Sequence, residues 1–134
     1  MSTEQNKKIA REFVEATVLR DTDRVAAVMS DDVTLTVQGN HPRFQRTWTK
    51  PEWCRYLKTP TPFNDGLAVT IRSITAEEDR VSLESETKGV VSATGKVYNN
   101  RYHYLFTIRD GKIVDIREYM DTAHLMDVLT FPKM

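Results

Sequence analysis

Apolar residues near the start of the chain recur at the spacing of one face of a helix. The inner positions of this stripe are Ile9, Ala10, Phe13, Val14 and Thr17. Residues 2–5, STEQ, fit a capping box, in which a serine hydroxyl and a glutamine side chain satisfy each other's free backbone N–H groups. The pattern therefore predicts an amphipathic helix that ends near Leu19.

Shorter elements follow. Asp21 is suited to cap a second, short helix that ends at residues 31–32, and residues 33–37, VTLTV, alternate as a strand does. Residues 38–42 have the composition of a loop. Residues 49–52, TKPE, form a second capping box with proline in the first turn, so they predict a third helix that stops at Pro60.

The second half of the chain is rich in β-branched and aromatic residues and predicts four strands, at residues 67–75, 80–92, 96–109 and 112–120. Asp110 and Gly111 separate the last two strands, and an Asp-Gly pair between apolar runs is a strong hairpin signal. Asp121 is placed to cap a final helix. Helices followed by a run of antiparallel strands predict the α+β class.

The strand predicted at residues 96–109 has no plainly polar face. Side chains alternate between the two faces of a strand, so Tyr102, Tyr104 and Phe106 share one face and His103 and Leu105 share the other. A sheet with two partly apolar faces must cover both of them. We therefore expect helices on one face and a second copy of the chain on the other.

Composition limits the class of protein. The chain has 134 residues, which predicts one domain, and its 19 basic and 19 acidic residues balance. Zero net charge without a long basic run argues against nucleic acid or an anionic membrane as partner. Cys54 stands alone, so no internal disulfide or multi-cysteine zinc site is expected. The polar beginning of the chain and the lack of a long apolar run predict a soluble, cytoplasmic protein.

Three segments carry a resemblance to a known family. They are residues 29–34, MSDDVT, residues 98–102, YNNRY, and residues 109–121, RDGKIVDIREYMD. With the order of the elements, they make the chain similar to SnoaL-like domains of the nuclear transport factor 2-like superfamily, beside ketosteroid isomerase and limonene epoxide hydrolase. The resemblance implies one α+β SnoaL-like domain over residues 1–134, with a curved, mostly antiparallel sheet wrapped around the N-terminal helices.

The resemblance also implies an apolar pocket on the concave side of the sheet. The residues it places there are Phe13, Leu35, Val37, Trp53, Tyr56, Ser85, Thr87, Arg101, His103, Leu105, Glu118 and Met120. The stripe of Tyr102, Tyr104 and Phe106 then lies on the convex face, where relatives often form a homodimer. The alternative is that a terminal segment covers this stripe, or that the stripe remains partly exposed to solvent.

The catalytic residues of ketosteroid isomerase are not kept. Ungapped matching places Val37 at its general-base aspartate and Phe13 at its oxyanion tyrosine. Neither side chain can do that chemistry. The second acidic residue that stabilises the oxyanion in that enzyme falls at His103, which is ionisable.

Limonene epoxide hydrolase is not reproduced either. Its catalytic arginine falls at Ser85, and its two aspartates fall at Thr87 and Glu118. The residues that hold its hydrolytic water fall at Leu35 and Val37. The chain is therefore a faithful copy of neither enzyme.

The remaining ionisable candidates in the implied pocket are His103 and Glu118, with Arg101 near them. A histidine and a carboxylate in contact can remove and return a proton next to a carbonyl, as an isomerase, a dehydratase or an aldol-type cyclase requires. Ser85, Thr87 and Tyr56 would orient the substrate oxygen. This chemistry needs no cofactor.

Structural explanations stay open for the same residues. Arg101 and Glu118 would also fit a simple ion pair at the pocket rim, and His103 would fit a histidine hydrogen-bonded to a neighbour. The three histidines lack the spacing of a metal site. The sequence thus leaves two hypotheses, an enzyme that acts on a small apolar carbonyl or hydroxyl compound, and a non-catalytic module that carries a ligand or docks a protein.

Overall fold

The structure is a computed structural model that describes residues 2–129. These residues form four helices and six strands of an α+β fold. In chain order the elements are α1 Thr3–Val18, α2 Thr22–Val28, β1 Met29–Val37, β2 Arg46–Trp48, α3 Lys50–Leu57, β3 Phe63–Glu77, β4 Arg80–Val91, β5 Val97–Arg109, β6 Lys112–Met120 and α4 Thr122–Val128.

The helix starts follow the predicted caps. Ser2 and Thr49 each accept a hydrogen bond from the backbone N–H three residues on, and both capping boxes are complete. Asp21 and Asp121 cap α2 and α4 in the same way. The predicted end of α2 is wrong, because the helix stops at Val28 and the chain passes directly into β1.

The sheet has the strand order β2-β1-β6-β5-β4-β3. All neighbouring pairs are antiparallel except β1 and β6, which run parallel. β2 is a short strand that the sequence pattern did not predict. Residues 64–66, NDG, have the composition of a turn but lie inside β3, where Asp65 and Gly66 have positive φ and the pairing with β4 shifts.

The core lies between α1 and the inner face of the sheet. The ring of Phe13 meets Tyr104 and Phe106 edge-on, with centroids 6.3 and 5.6 Å apart. Phe106 is 0% exposed and Tyr104 5%. The predicted use of Tyr102, Tyr104 and Phe106 as a homodimer interface is therefore wrong, because these side chains face the protein's own core.

The two faces of β5 are thus reversed from the prediction. Leu83 on β4 pairs with Tyr104, and Glu84 pairs with His103. Aromatic side chains bury large apolar areas when they turn inward, whereas burial costs a charged group its hydration. The aromatic face of β5 therefore turns inward, and Arg101, His103 and Leu105 lie on the outer face.

A β-bulge at Val114 explains why His103 and Glu118 do not meet. Next to the Asp110-Gly111 turn, Ile108 pairs with Ile113, as a two-residue turn requires. Beyond the bulge the register shifts by one residue, so that Tyr104 pairs with Glu118. Without this extra residue, the same turn would place His103 opposite Glu118.

Gly89 on β4 is packed so closely that a larger residue would be strained. A Cβ atom there would lie 2.7 Å from Leu67 Cδ2 and 3.1 Å from the carbonyl oxygen of Gly66. We expect Gly89→Ala to lower the free energy of unfolding by about 1–3 kcal/mol, measured by urea denaturation. Val90→Ala, at the exposed neighbouring position, is the control and should change it by roughly 0.5 kcal/mol or less. Equal effects would contradict this account of the packing.

Among residues 2–129, no helix is both long enough and apolar enough to cross a membrane.

Candidate functional site

A carboxyl group, that of Glu118, lies on the inner face of the sheet. Glu118 occupies β6 between Tyr104 on β5 and Val37 on β1, which are its partners in the two strand pairings. It is 5% exposed. The predicted inward placement of Glu118 agrees with the structure, although the neighbours it finds there are different.

Burial controls the proton affinity of this carboxyl. Loss of hydration raises the pKa of Glu118 from 4.5 to about 7, and the hydrogen bond that the Tyr104 hydroxyl donates opposes part of this rise. Near neutral pH, a carboxyl group with this pKa is present in both its protonated and its ionised form. Glu118 can therefore accept or release a proton.

Three tyrosine hydroxyls lie in the same electrostatic environment. Burial raises the pKa of Tyr98 to about 12, and it raises the pKa values of Tyr102 and Tyr104 well above the usual range. The charge of Glu118 raises all three further. These phenols consequently stay protonated and remain hydrogen-bond donors at physiological pH.

The Tyr98 and Tyr102 hydroxyls form one hydrogen-bonded chain with Asn100. Asn100 Nδ2 donates to the Tyr98 hydroxyl at 2.8 Å, and the Tyr98 and Tyr102 hydroxyls are hydrogen-bonded to each other. If Tyr98 donates in that bond, the Tyr102 proton is free to bind another acceptor. The chain then acts as a relay that polarises the Tyr102 hydroxyl.

Asn100 also fixes the end of the site that α4 covers. Its Oδ1 accepts from the backbone N–H groups of Arg101 at 2.8 Å and Asp121 at 3.1 Å, and its Nδ2 donates to the Asp121 carbonyl at 3.0 Å. Asp121 is the N-cap of α4. One buried side chain therefore connects β5, the end of β6 and the first turn of α4.

Buried polar atoms without a hydrogen-bond partner lie on the inner face beside this chain. Ser85 pairs with Tyr102 and Thr87 with Asn100 in the β4 to β5 register. The Oγ of Ser85 and the Oγ1 of Thr87 are buried and unpartnered, and so is the Nε1 of Trp53 on α3. An unsatisfied buried polar group is costly, so these atoms are suited to receive the polar groups of a ligand.

Aromatic residues from α3 and β2 close another part of the site. Trp53 contacts Trp48 and Tyr56, with ring centroids 5.4 Å away in both cases. Trp53 is buried, whereas Tyr56 is 40% exposed. Tyr56 therefore stands at the rim, and its ring also lies 5.2 Å from the guanidinium of Arg20.

His103 is held on the outer face by other partners. Its Nε2 is 2.6 Å from the Ser82 hydroxyl, and its ring lies 5.6 Å from that of Tyr119. The predicted contact of His103 with Glu118 is therefore wrong. The alternative, a histidine satisfied by a neighbouring hydrogen bond, fits these contacts.

Arg101 and Leu105 also lie outside the predicted pocket. Arg101 Nε is 3.3 Å from Glu86 Oε2, so its ion pair is with Glu86 and the rim pair with Glu118 is wrong. Leu105 pairs with Arg117 on the outer face and is half-buried.

The other predicted pocket residues lie on the inner side. Phe13, Leu35 and Val37 are buried in the core, and Met120 is half-buried opposite Tyr102. Sequence reasoning missed Tyr98, Asn100, Tyr102 and Tyr104 as site residues. The alternation of β4, apolar at Val81 and Leu83 and acidic at Glu84 and Glu86, is the signal that orients β5 once the two strands are aligned. Residues 2–129 contain no cluster of three or more side chains arranged to hold a metal ion.

Comparison with known proteins identifies related folds. A family model described as the SnoaL-like domain matches residues 10–116. A nuclear transport factor 2-like protein from Burkholderia xenovorans is 23% identical, with a TM-score of 0.76 over 97% of this chain and 99% of that chain. A candidate SnoaL-like polyketide cyclase from a Jannaschia species is 15% identical, with a TM-score of 0.80 over 98% of this chain and 95% of that chain. IdmH, a candidate polyketide cyclase from Streptomyces antibioticus, is 16% identical, with a TM-score of 0.77 over 92% of this chain and 96% of that chain. Among curated proteins, none matches the chain.

Proposed function

Because the chain belongs to the SnoaL-like family, we propose that its inner sheet face binds a small, largely apolar carbonyl or hydroxyl compound and transfers a proton on it. The reaction would be an isomerisation, a dehydration or an aldol-type cyclisation without a cofactor. One observation carries this proposal. It is the buried carboxyl of Glu118, whose pKa is raised to about 7, beside a group of protonated tyrosines.

Glu118 is the acid-base residue of the proposed reaction. Its carboxylate removes a proton from the carbon next to a substrate carbonyl, and the electrons of the C–H bond pass to the carbonyl oxygen as an enolate. Glu118 then returns the proton, to another carbon in an isomerisation, to a departing hydroxyl in a dehydration, or to the new alkoxide in a cyclisation. A pKa near the working pH favours both halves of this cycle.

The tyrosine chain supplies the donor for the developing oxyanion. A donor positioned before the reaction stabilises charge that appears in the transition state, and it does so more strongly where water is excluded. Tyr102 is suited to this role because Asn100 and Tyr98 stand behind it in the hydrogen-bonded chain. Ser85, opposite Tyr102 in the register, provides a second donor on the adjacent strand.

The charge of the inner face favours an uncharged ligand. The causes that set the pKa of Glu118 are burial and the Tyr104 hydrogen bond, with no cation among them. An anionic group bound beside Glu118 would lack a counter-ion. Similarity to two candidate polyketide cyclases agrees with this class of substrate, since their names describe ring closure on carbonyl-rich compounds.

We expect Glu118→Gln to lose at least about 100-fold in turnover, because glutamine keeps the shape of the side chain but transfers no proton. Substrates would first be found by thermal-shift screening with small steroids, aromatic polyketide analogues, terpenoid epoxides and hydroxy-ketones, since a ligand of the native state raises its melting temperature. Initial rates of the wild type and the variant would then be compared on each ligand found.

His103→Ala is the matched control for this experiment. His103 lies on the opposite face of the sheet from Glu118, so its variant should keep turnover within roughly a factor of two. The proposal fails if Glu118→Gln keeps full activity, or if His103→Ala loses as much as Glu118→Gln does.

A non-catalytic ligand carrier is the second candidate function. The cluster of Trp48, Trp53 and Tyr56 favours it, because these contacting rings form an aromatic surface that can bind an apolar ligand without taking part in proton transfer. A carrier predicts ligands that raise the melting temperature of wild type and Glu118→Gln alike, with no product formed by either protein.

A further inference from the structure

A groove runs between α1 and β3, on the opposite side of α1 from the tyrosine chain. It consists of two adjoining clefts of about 380 Å³ each, which share Arg11 and Ile71. The first is lined by Glu4, Lys7, Lys8, Arg11, Ile71, Arg72, Ser73 and Ile74, and the second by Arg11, Glu15, Val18, Leu19, Leu67, Ala68, Val69 and Ile71. We call these two clefts together the α1/β3 groove.

One wall of the groove is an edge strand. β3 is last in the strand order, so among residues 2–129 its one neighbour in the sheet is β4. No strand of residues 2–129 pairs with the other side of β3, so the backbone groups there can pair with an added strand. The side chains of Leu67, Val69 and Ile71 are half-buried along this wall. The part of β3 in the groove, residues 67–74, extends about 25 Å at the usual rise of a strand.

The two ends of the groove differ in charge. Lys7, Lys8 and Arg11 on α1 meet Arg72 on β3 at one end. Ion pairs hold three of these cations at the surface, Lys7 with Glu4 at 3.1 Å, Arg11 with Glu15 at 3.5 Å and Arg72 with Glu86 at 3.2 Å. The pairs of Lys7 and Arg11 are exposed and therefore weak, so these two cations remain able to attract an anionic partner. Arg72 is held by the buried carboxyl of Glu86.

The other end is apolar. Val18 and Leu19, at the end of α1, face Leu67 and Val69 there. Leu19 is 65% exposed. The groove therefore changes from cationic to apolar as β3 is followed from residue 74 back to residue 67.

We propose that the α1/β3 groove binds an extended segment of a partner protein, which adds to β3 as an antiparallel strand. Strand addition satisfies the free backbone groups of an edge, and alternate side chains of the segment enter the groove. The N-terminal half of an antiparallel segment lies at the cationic end of the groove, near residue 74 of β3, and its C-terminal half lies at the apolar end. The N-terminal half therefore carries Asp or Glu, and the C-terminal half carries apolar residues that cover Leu19 and Leu67.

The partner site is separate from the proposed catalytic face. Glu118 lies on β6, three strands away from β3 in the sheet order. Strand addition therefore does not depend on the acid-base chemistry. Failure of either proposal leaves the other intact.

A fluorescent peptide of about eight residues tests the groove. The probe is acetyl-Glu-Thr-Asp-Thr-Val-Thr-Leu-Thr-amide, and a second peptide has lysine at both acidic positions. We expect the acidic probe to bind with saturation in fluorescence anisotropy and to weaken as salt is added, while the lysine peptide binds at least tenfold more weakly. Amide hydrogen exchange in residues 67–74 should slow when the acidic probe is bound.

The charge variants are matched. K8Q/R11Q removes two cations from the groove, and R55Q/K58Q removes two exposed cations from the end of α3. The first variant should weaken binding of the acidic probe by about fivefold or more, and the second should leave it unchanged. Absence of binding, equal binding of both peptides, or equal effects of both variants would overturn the proposal. So would a dimer in analytical ultracentrifugation that itself protects the amides of residues 67–74, because a second copy would then occupy the edge.

Discussion

Glu118→Gln is expected to remove most of the pH dependence of the free energy of unfolding between about pH 4.5 and 7. Burial raises the pKa of Glu118 from 4.5 to about 7 in the folded protein. Between these values the folded state holds a proton that the unfolded state has released, so stability falls as pH rises. The shift corresponds to about 3 kcal/mol of stability, present below the unfolded pKa and lost as pH rises through the folded pKa.

The measurement is urea denaturation of the wild type and Glu118→Gln at about pH 5, 6, 7 and 8. The wild type should lose stability between about pH 5 and 7 and level off towards pH 8, while the variant stays nearly level and exceeds the wild type at the alkaline end. Glu84→Gln is the control, because Glu84 is an exposed glutamate on the outer face. Parallel curves for the wild type and Glu118→Gln would show that Glu118 titrates normally, and the proposed acid-base role would then lose its basis.

Phe106→Ala and Leu105→Ala, at adjacent positions of β5, are expected to differ severalfold in their effects. Phe106 is 0% exposed and packs on Phe13, so truncating it removes a large buried ring and leaves a cavity. Such changes cost about 3–5 kcal/mol. Leu105 is half-buried on the outer face, where its loss should cost roughly 1 kcal/mol.

Both variants would be compared with the wild type by urea denaturation at one pH, with equal m-values as the sign that the denatured states are alike. The order of the two effects tests which face of β5 is inside. A larger loss for Leu105→Ala would restore the placement first expected from the sequence, with His103 in the core and the aromatic stripe outside.

Local sequence determined the elements of this protein and much of their order. The capping boxes at Ser2 and Thr49 begin α1 and α3, and the limits of β6 agree with the sequence prediction. These features depend on neighbouring residues, whose side chains and backbone groups satisfy each other within a few positions. The inward placement of Glu118 is also consistent with the apolar residues that alternate with it along β6.

Tertiary structure alone decided which chemical groups meet. Both faces of β5 are apolar enough to be buried, so periodicity does not choose between them. Pairing with β4 makes the choice, because it sets Glu84 beside His103 and Leu83 beside Tyr104. The bulge at Val114 then shifts β6 by one residue and gives Glu118 a tyrosine as its partner. A shift of one residue exchanges the faces of a whole strand, and the free energy that selects it comes from packing the aromatic rings of β5 against Phe13.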